Sequence, residues 1–341
     1  IQRSLIFTPL YNFFIKKYRK GFLMYNEFAP KHYKGKWPCT TKTLYNEKTL
    51  TGRLHKYFLI YFETFSAPTA DTLFLLVLSI LTLESVHSIR FLYQHFLSGI
   101  TTKSLNTFFH ACSYAKVDYS HFMNITAKVA LRMIPDSLAT QPIFLCVDDT
   151  MVAKAGTRSE NVSKLFDHAA HNSSNYLNGH CFVSIMLCIP VWKNDRVSYL
   201  SLPLGYRMWQ KKAPLNQTGS DRMKYIPLFL YSFRWNIETS CYEQKTFWSL
   251  CSYTVRSCKG IEMLVNLINI CYCAMKILPY QDEQFSEYRT KSVQEFRFEL
   301  SQGIRSQIFF ATFVKNIETH IKSNAMTKAL KQLIHQQVYH L

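Results

Sequence analysis

Apolar residues recur at intervals of three to four positions through much of the first half of the chain. Such runs lie at Ala70–Ser85, Ser88–Leu97, Lys103–Tyr114 and Tyr119–Met133. This period gives a helix one buried face, so each run predicts an amphipathic or buried helix. The pattern therefore predicts a helical region over residues 51–141.

Short helices joined by turns suit two different roles. They are compatible with a helix-turn-helix-like module that sets one helix in a DNA groove, and equally with an ordinary helical bundle. Residues 53–140 carry a net charge of only +2 (7 − 5), which does not decide between the two.

The pattern changes to that of strands after Pro142. Apolar stretches near 143–148, 180–189 and 197–202 are short and bounded by polar or turn-forming residues, as buried strands are. Because they follow one another closely, we expect an antiparallel meander. The first of these strands ends in Asp148 and Asp149.

Helical spacing returns after a loop at 203–220. Helices are expected from about Met223 to Ser249, from Ile261 to Leu278, and as amphipathic segments between Tyr280 and Leu341. The whole pattern predicts an α+β protein, with a helical amino-terminal region, a core of short antiparallel strands with helices, and a helical carboxyl-terminal tail.

The longest uncharged apolar run is Thr72–Leu83, with 12 residues. It is shorter than the ~20 residues that a membrane-spanning helix needs, so it predicts a buried helix and no membrane association. The ten cysteines are scattered, without the spacing of a zinc site. They fit reduced thiols in the cytoplasm.

The net charge of +18 is concentrated in two parts of the chain. Residues 1–50 carry +8 (10 − 2) and residues 211–280 carry +5 (9 − 4). A local basic excess of this size favours a polyanionic partner. Basic residues alternate with aromatic ones in the first fifty residues, which is typical of nucleic-acid binding, although this basic arm could also be foreign to the native product.

One predicted helix carries a polar stripe. At ~100° per residue, Tyr231, Arg234, Glu238 and Lys245 fall within about 60° of one another. The stripe could be a solvated face with an Arg234–Glu238 pair, worth a few tenths of a kcal/mol. We favour a functional cleft because large apolar residues flank the stripe, namely Trp235, Ile237, Phe247, Trp248 and Leu250.

Two adjacent aspartates at the end of a buried strand are costly unless hydrogen bonds or a cation compensate them. A divalent metal would do so, and a helix cap is the alternative. Asp148 and Asp149 are therefore candidate metal ligands, together with the carboxylate of Glu238.

The spacing Tyr231-x2-Arg234-x3-Glu238-x6-Lys245 resembles the signature around the catalytic glutamate in one large branch of the DDE-type cut-and-paste transposases of bacterial insertion sequences. The strand end Val147-Asp148-Asp149-Thr150 resembles the first catalytic aspartate of that family. We assign the role to Asp149, with Asp148 as the alternative. The likeness spans roughly residues 50–280.

The resemblance implies a ribonuclease-H-like core and metal-dependent cleavage and transfer of DNA strands with Mg²⁺ or Mn²⁺. It implies that Asp149 and Glu238 are catalytic and bind metal, that Arg234 and Lys245 hold phosphates, and that Tyr231 contacts the DNA backbone. The implied partner is double-stranded DNA at transposon ends, and a homodimer is one open assembly state.

The chain departs from this family at the second catalytic aspartate. Asp149 and Glu238 are only 89 positions apart (238 − 149), and Leu204–Ile226 offers no further strand. Asp167 and Asp195 lie in predicted loops, and Asp221 lies at a helix entrance. We infer an internal deletion near residues 210–212 and a defective copy.

The predicted organisation is a basic arm at 1–50, a helical region at 51–141, a transposase-like core at 142–280 and a helical tail at 281–341. Two other functions stay open. One is a DNA-binding regulator or inhibitor derived from a transposase, and the other is a scaffold that binds partners through its apolar helices.

Overall fold

The computed structural model describes residues 44–156, 158–166, 175–209, 228–321 and Lys328. Most of the basic arm, the position of the inferred deletion at 210–212 and most of the last twenty residues lie outside the described part. Asp167 and Asp221 also lie outside it.

All four helices predicted before the sheet are confirmed. Helix α1 precedes them, and Ser66 and Pro68 lie at the start of α2, where a proline without an N–H is tolerated. The middle of α3 is π-helical. The helices are α1 (Leu50–Phe62), α2 (Ala67–Thr82), α3 (Ile89–Leu92, then Tyr93–Leu97 and Ser98–Ile100), α4 (Leu105–Tyr114) and α5 (Tyr119–Arg132).

A small antiparallel sheet follows. Its strands are β1 (Phe144–Ala153), β2 (Ser163–Phe166), β3 (Tyr176–Lys193) and β4 (Arg196–Met208). β1 pairs with β3 and β3 pairs with β4, so the predicted three-stranded meander is confirmed. The expected loop at 203–220 begins too early, because pairing with β3 continues β4 to Met208. Asn194 and Asp195 make the tight β3–β4 turn with positive φ angles of 49° and 56°. The sequence did not predict β2, which pairs with the start of β3.

The sheet is followed by three long helices, α6 (Leu228–Phe247), α7 (Cys258–Gln281) and α8 (Val293–Ile321). By length and composition α7 could cross a membrane, but 89% of its apolar window is buried inside the protein. A helix that is apolar on every side suits the centre of a core. One apolar core extends from Leu44 to Ile304 and includes α7, so it continues across residues 141–142 and 280–281.

Helix α7 is joined to β4 through the side chains of two asparagines. The amide N–H of Tyr206 donates to Asn266 Oδ1 at 3.0 Å, and Asn266 Nδ2 donates to the Tyr206 carbonyl at 3.0 Å. Asn269 Nδ2 donates to the Pro203 carbonyl at 2.8 Å. A Cβ on Gly205 would lie 3.1 Å from Asn266 Oδ1 and 2.9 Å from Met123 Cγ, so this close approach favours glycine.

Helix α8 is held against α2 by a buried arginine. The guanidinium of Arg297 donates to the carbonyls of Ile80 at 2.9 Å, Leu83 at 2.6 Å and Phe247 at 2.5 Å. It also lies 4.1 Å above the ring of Trp248. Burial lowers the pKa of Arg297 to about 10. This one side chain satisfies carbonyls at the ends of two helices, where backbone acceptors otherwise have no partner.

Replacing Arg297 with Met should lower the free energy of unfolding by about 3 kcal/mol, because buried carbonyls lose charged donors. Urea denaturation measures the change. The control is Arg53→Met, which removes a partly exposed 3.0 Å ion pair with Asp282 and should cost about 1 kcal/mol or less. Equal losses in the two variants would contradict the role given to Arg297.

Candidate functional site

Helix α6, which carries Glu238 and Lys245, packs across one face of the sheet. Ile237 is buried and closes a small apolar cluster, with Cys241 one turn further along. The cluster's strand residues come from β1 and β3 and are Phe144, Cys146, Met186 and Cys188. The predicted signature helix is therefore placed directly against the strand that carries the two aspartates. The expectation that this strand ends at them was wrong, because pairing with β3 continues it to Ala153 and leaves Asp148 and Asp149 in its middle.

Polar contacts fix the rotation of α6 about its axis. The buried Gln244 side chain donates from Nε2 to the Tyr206 hydroxyl at 3.1 Å and to Asn269 Oδ1 at 3.4 Å. On the flank facing α7, the Tyr272 hydroxyl donates to Glu243 at 2.5 Å, and its oxygen lies 3.3 Å from the Ser240 hydroxyl, which can donate to it. Burial, followed by the Glu243 carboxylate, raises the pKa of Tyr272 well above its usual value. Because these contacts turn one flank of α6 toward α7, the opposite flank faces β1.

Lys245 lies on that opposite flank. Its ammonium donates to the backbone carbonyl of Met151 in β1 at 2.9 Å. The side chain thus joins the end of α6 to the strand of the two aspartates. Its predicted contact with a DNA phosphate stays a prediction.

Asp148 and Asp149 point to opposite faces of the sheet. They stand opposite Ser184 and Val183 in a regular antiparallel ladder, where successive side chains alternate. Asp149 Oδ2 accepts a hydrogen bond from the Cys181 thiol at 3.6 Å on the face away from α6.

Asp148 lies on the face that α6 covers. Burial is the main cause that raises the pKa of Cys241, and the charge of Asp148 adds to it. Cys241 follows Glu238 by less than one helical turn. The alternation of the strand therefore favours Asp148, which the sequence left as the alternative, over Asp149 as the carboxylate on the side of Glu238.

Glu238 is exposed on the β1 flank of α6. At ~100° per residue it lies about 20° around the helix from Lys245 and about 60° from Cys241. Tyr231 and Arg234 belong to the same helix, but their side chains lie outside the described part of the structure. Glu238 and Lys245, the two stripe residues whose side chains are described, therefore lie on the same flank of α6.

The apolar residues that flank the stripe, on which the expectation of a cleft rests, are only partly buried. Ile237, Trp248 and Leu250 are buried, whereas Trp235 is 70% exposed and Phe247 is 43% exposed. The sequence alone could not distinguish the buried residues from the exposed ones, because an aromatic residue fits a core or a binding surface equally well.

Two exposed aromatic residues were missed as candidates. Trp235 and Tyr242, which is 62% exposed, stand seven positions apart and so share the outer face of α6 beside Glu238. Exposed aromatic rings near a cationic side chain can stack on nucleic-acid bases or pack on sugars. Their seven-residue spacing, which places both on one face of a helix, was the sequence signal that could have identified them.

The described residues offer too few ligands for a pair of metal ions. Among them, no three His, Cys, Asp or Glu side chains converge. Asp195 lies in the β3–β4 turn, away from Asp148. The carboxylates of Asp148 and Glu238 lie on the same side of β1, and whether they bind Mg²⁺ stays a prediction.

The chain that follows α6 is fastened to the end of β1. Lys154 Nζ donates to the carbonyls of Cys251 and Tyr253 at 2.9 Å each, and lies 3.5 Å from the centre of the Tyr253 ring. His180 bridges the Tyr253 hydroxyl at 2.6 Å and the Glu160 carbonyl at 2.9 Å. A carbonyl only accepts, so Nε2 of His180 carries the proton and Nδ1 accepts from Tyr253.

Comparisons of the chain with protein-family models, with curated proteins and with solved structures found no match.

Acidification should weaken the contacts of His180 with Tyr253 and Glu160. Burial lowers the pKa of His180, so the folded protein keeps the ring neutral while the unfolded chain takes up a proton near pH 6.5. Stability should fall as the pH drops through that value and level off below the folded pKa.

The measurement is the difference in urea midpoint between pH 7.5 and 5.5. His180→Gln, which can still donate and accept hydrogen bonds at this position, should reduce that difference. It should not abolish the difference, because other histidines also contribute to it. An unchanged pH dependence in the variant would rule His180 out as a contributor.

Proposed function

We propose that the chain is a DNA-binding protein of the DDE transposase type, with an incomplete ribonuclease-H-like core and defective strand cleavage. The main support is the position of α6. The helix with the signature spacing lies on the same face of β1 as Asp148, and Lys245 bonds to that strand. A meander whose first strand carries an aspartate, joined by a later helix with a glutamate, is the arrangement that the resemblance implies.

In this proposal Asp148 and Glu238 bind one Mg²⁺ or Mn²⁺, with Asp149 as the alternative to Asp148. Lys245 and Arg234 hold phosphates of double-stranded DNA, and Tyr231 contacts the backbone. Trp235 and Tyr242 add stacking surface beside them. The concentration of positive charge in residues 211–280 supports a polyanionic ligand on this side.

Catalysis would suffer from the lack of a third carboxylate. Two Mg²⁺ ions ~4 Å apart repel strongly and need shared carboxylate ligands to stay together. Losing that geometry removes much of the charge stabilisation of the phosphoryl transition state, where each 1.36 kcal/mol is about a tenfold change in rate. A DNA-binding regulator derived from a transposase is therefore the second candidate function.

A soluble, cytoplasmic protein fits this function. The nine described cysteines are all free, as expected in a reducing compartment. Exposed apolar residues on the last turns of α8, among them Phe309, Phe310 and Phe313, support the homodimer as the assembly state.

Affinity for duplex DNA should fall steeply with salt, because each neutralised phosphate releases counterions. The double variant Arg234→Gln/Lys245→Gln should lower the slope of log K against log salt by about 2. Fluorescence anisotropy from about 50 to 200 mM salt measures it. Lys116→Gln/Lys128→Gln, two exposed lysines of the helical region, is the matched control and should leave the slope unchanged.

A slope unchanged by the α6 variant would place the DNA contacts elsewhere, with the basic arm as the next candidate. The complete absence of salt-dependent DNA binding would favour the scaffold.

Cleavage of DNA should not exceed background. The substrate is the genomic DNA that flanks the reading frame on both sides, assayed with Mg²⁺ and then with Mn²⁺, beside Glu238→Ala. Terminal inverted repeats in that DNA would support descent from a transposase. Cleavage that disappears in Glu238→Ala would contradict the defect and would mean that another carboxylate, such as Asp167 or Asp221, completes the site.

A further inference from the structure

A cleft of about 150 Å³ lies between the β3–β4 turn, the end of α7 and the start of α8. Lys193 and Tyr199 come from the strands, Lys276 and Tyr280 from α7, and Arg289 from the short helix at Glu283–Arg289. None of the described residues that line it is an aspartate or a glutamate.

Two of the cations in this cleft, Lys193 and Arg289, form no ion pair with a carboxylate among the described residues, whereas the ammonium of Lys276 is partly compensated by the charge of Glu243. Lys276 Nζ donates to the Ser201 carbonyl at 2.9 Å, and Arg289 Nε donates to the Pro279 carbonyl at 2.8 Å. A fourth cation, Lys291, is already held by Glu295 at 3.6 Å and Glu299 at 3.3 Å. The cleft therefore carries uncompensated positive charge.

The wall of the cleft adds neutral donors to these cations. Ser292 precedes α8 and Val293 begins it, where the helix dipole is positive and the first backbone N–H groups lack helical partners, although the Ser292 hydroxyl accepts from the Glu295 N–H at 3.1 Å. Tyr280 and Ser198, which each carry a hydroxyl group, also line the cleft. Burial lowers the pKa of Lys276, and the charge of Glu243 opposes this effect in part.

We propose that this cleft binds a phosphate group, with Lys193 and Arg289 as its cationic ligands. Several cations, hydroxyl groups and a helix N-terminus converging on a small volume match an oxyanion with several acceptor oxygens. The volume of the cleft holds a phosphate group, and the rest of the molecule that bears this phosphate would lie outside.

This cleft is separate from the site on α6. Asp148 stands opposite Ser184 in β3, and Lys193 is nine residues further along that strand. At ~3.3 Å per residue Lys193 lies roughly 30 Å along the strand from Ser184. The proposal therefore does not depend on metal binding or strand cleavage at Glu238.

Two sources could supply the phosphate: a small phosphate ester, or the 5′-phosphate of a DNA strand. Isothermal titration with inorganic phosphate at constant ionic strength tests the site itself. Saturable binding should weaken at least about tenfold in Lys193→Gln/Arg289→Gln, which removes two charge-assisted contacts. Both side chains are exposed, so the fold should persist, as circular dichroism would verify.

The control Lys116→Gln/Lys128→Gln removes the same net charge from exposed positions outside the cleft and should bind phosphate as the wild type does. Competition then separates the sources. A 5′-phosphorylated duplex that displaces phosphate better than its unphosphorylated form identifies a DNA end, and equal behaviour of the two duplexes identifies a small ester.

No saturable phosphate binding, unchanged binding in the cleft variant, or an equal loss in the control would each overturn the proposal.

Discussion

The sheet is joined to the helical core through the amide of Asn266. Its side chain pairs with the N–H and the carbonyl of Tyr206 at 3.0 Å each, as a neighbouring strand would. Edge strands expose unpaired backbone groups, and covering them with a helix is one way to protect them. Other polar side chains of α7 also bond to β4, since Asn269 donates to the Pro203 carbonyl and Lys276 to the Ser201 carbonyl. Asn266 pairs with both backbone groups of Tyr206, and so fixes the position of β4 along α7 at that residue. The positions of β3 and β1 follow from β4 through the ladder.

The placement of α6 depends on the same arrangement. Tyr206, held by Asn266, presents its hydroxyl to Gln244, and Asn269 of α7 accepts from the same glutamine. With its rotation fixed in this way, α6 directs Ile237 and Cys241 at the sheet and leaves Glu238 and Lys245 on the β1 flank. The strand's two-residue period then selects Asp148 as the aspartate on that side. A chain of contacts thus links a buried amide to the carboxylates of the proposed site.

Local patterns predicted much of this fold. The helices between residues 67 and 132 and three of the four strands follow from spacing, because each buries one face against the core. β2 was missed since its four residues carry no strand pattern of their own and are ordered by pairing with β3. The role of Asn266 could not be read from an apolar run, because its partners lie sixty residues away.

The candidate site was predicted in the same way and with the same limits. The signature spacing located α6, and the strand end located the aspartate pair. The choice between Asp148 and Asp149 required the register of β1 against β3, and the exposure of Trp235 required knowing which flank of α6 meets the sheet. Both depend on contacts between distant segments, which no local pattern contains.

The central claim is that Asp148 and Glu238 belong to one site on the α6 face of β1. Electron paramagnetic resonance of Mn²⁺ binding tests it most directly, with Asp148→Asn, Asp149→Asn and Glu238→Gln compared with the wild type. The account predicts one bound ion, with affinity reduced about tenfold or more by the first and third changes and unchanged by Asp149→Asn. Loss of binding in Asp149→Asn alone, or equal binding in all four proteins, would contradict it.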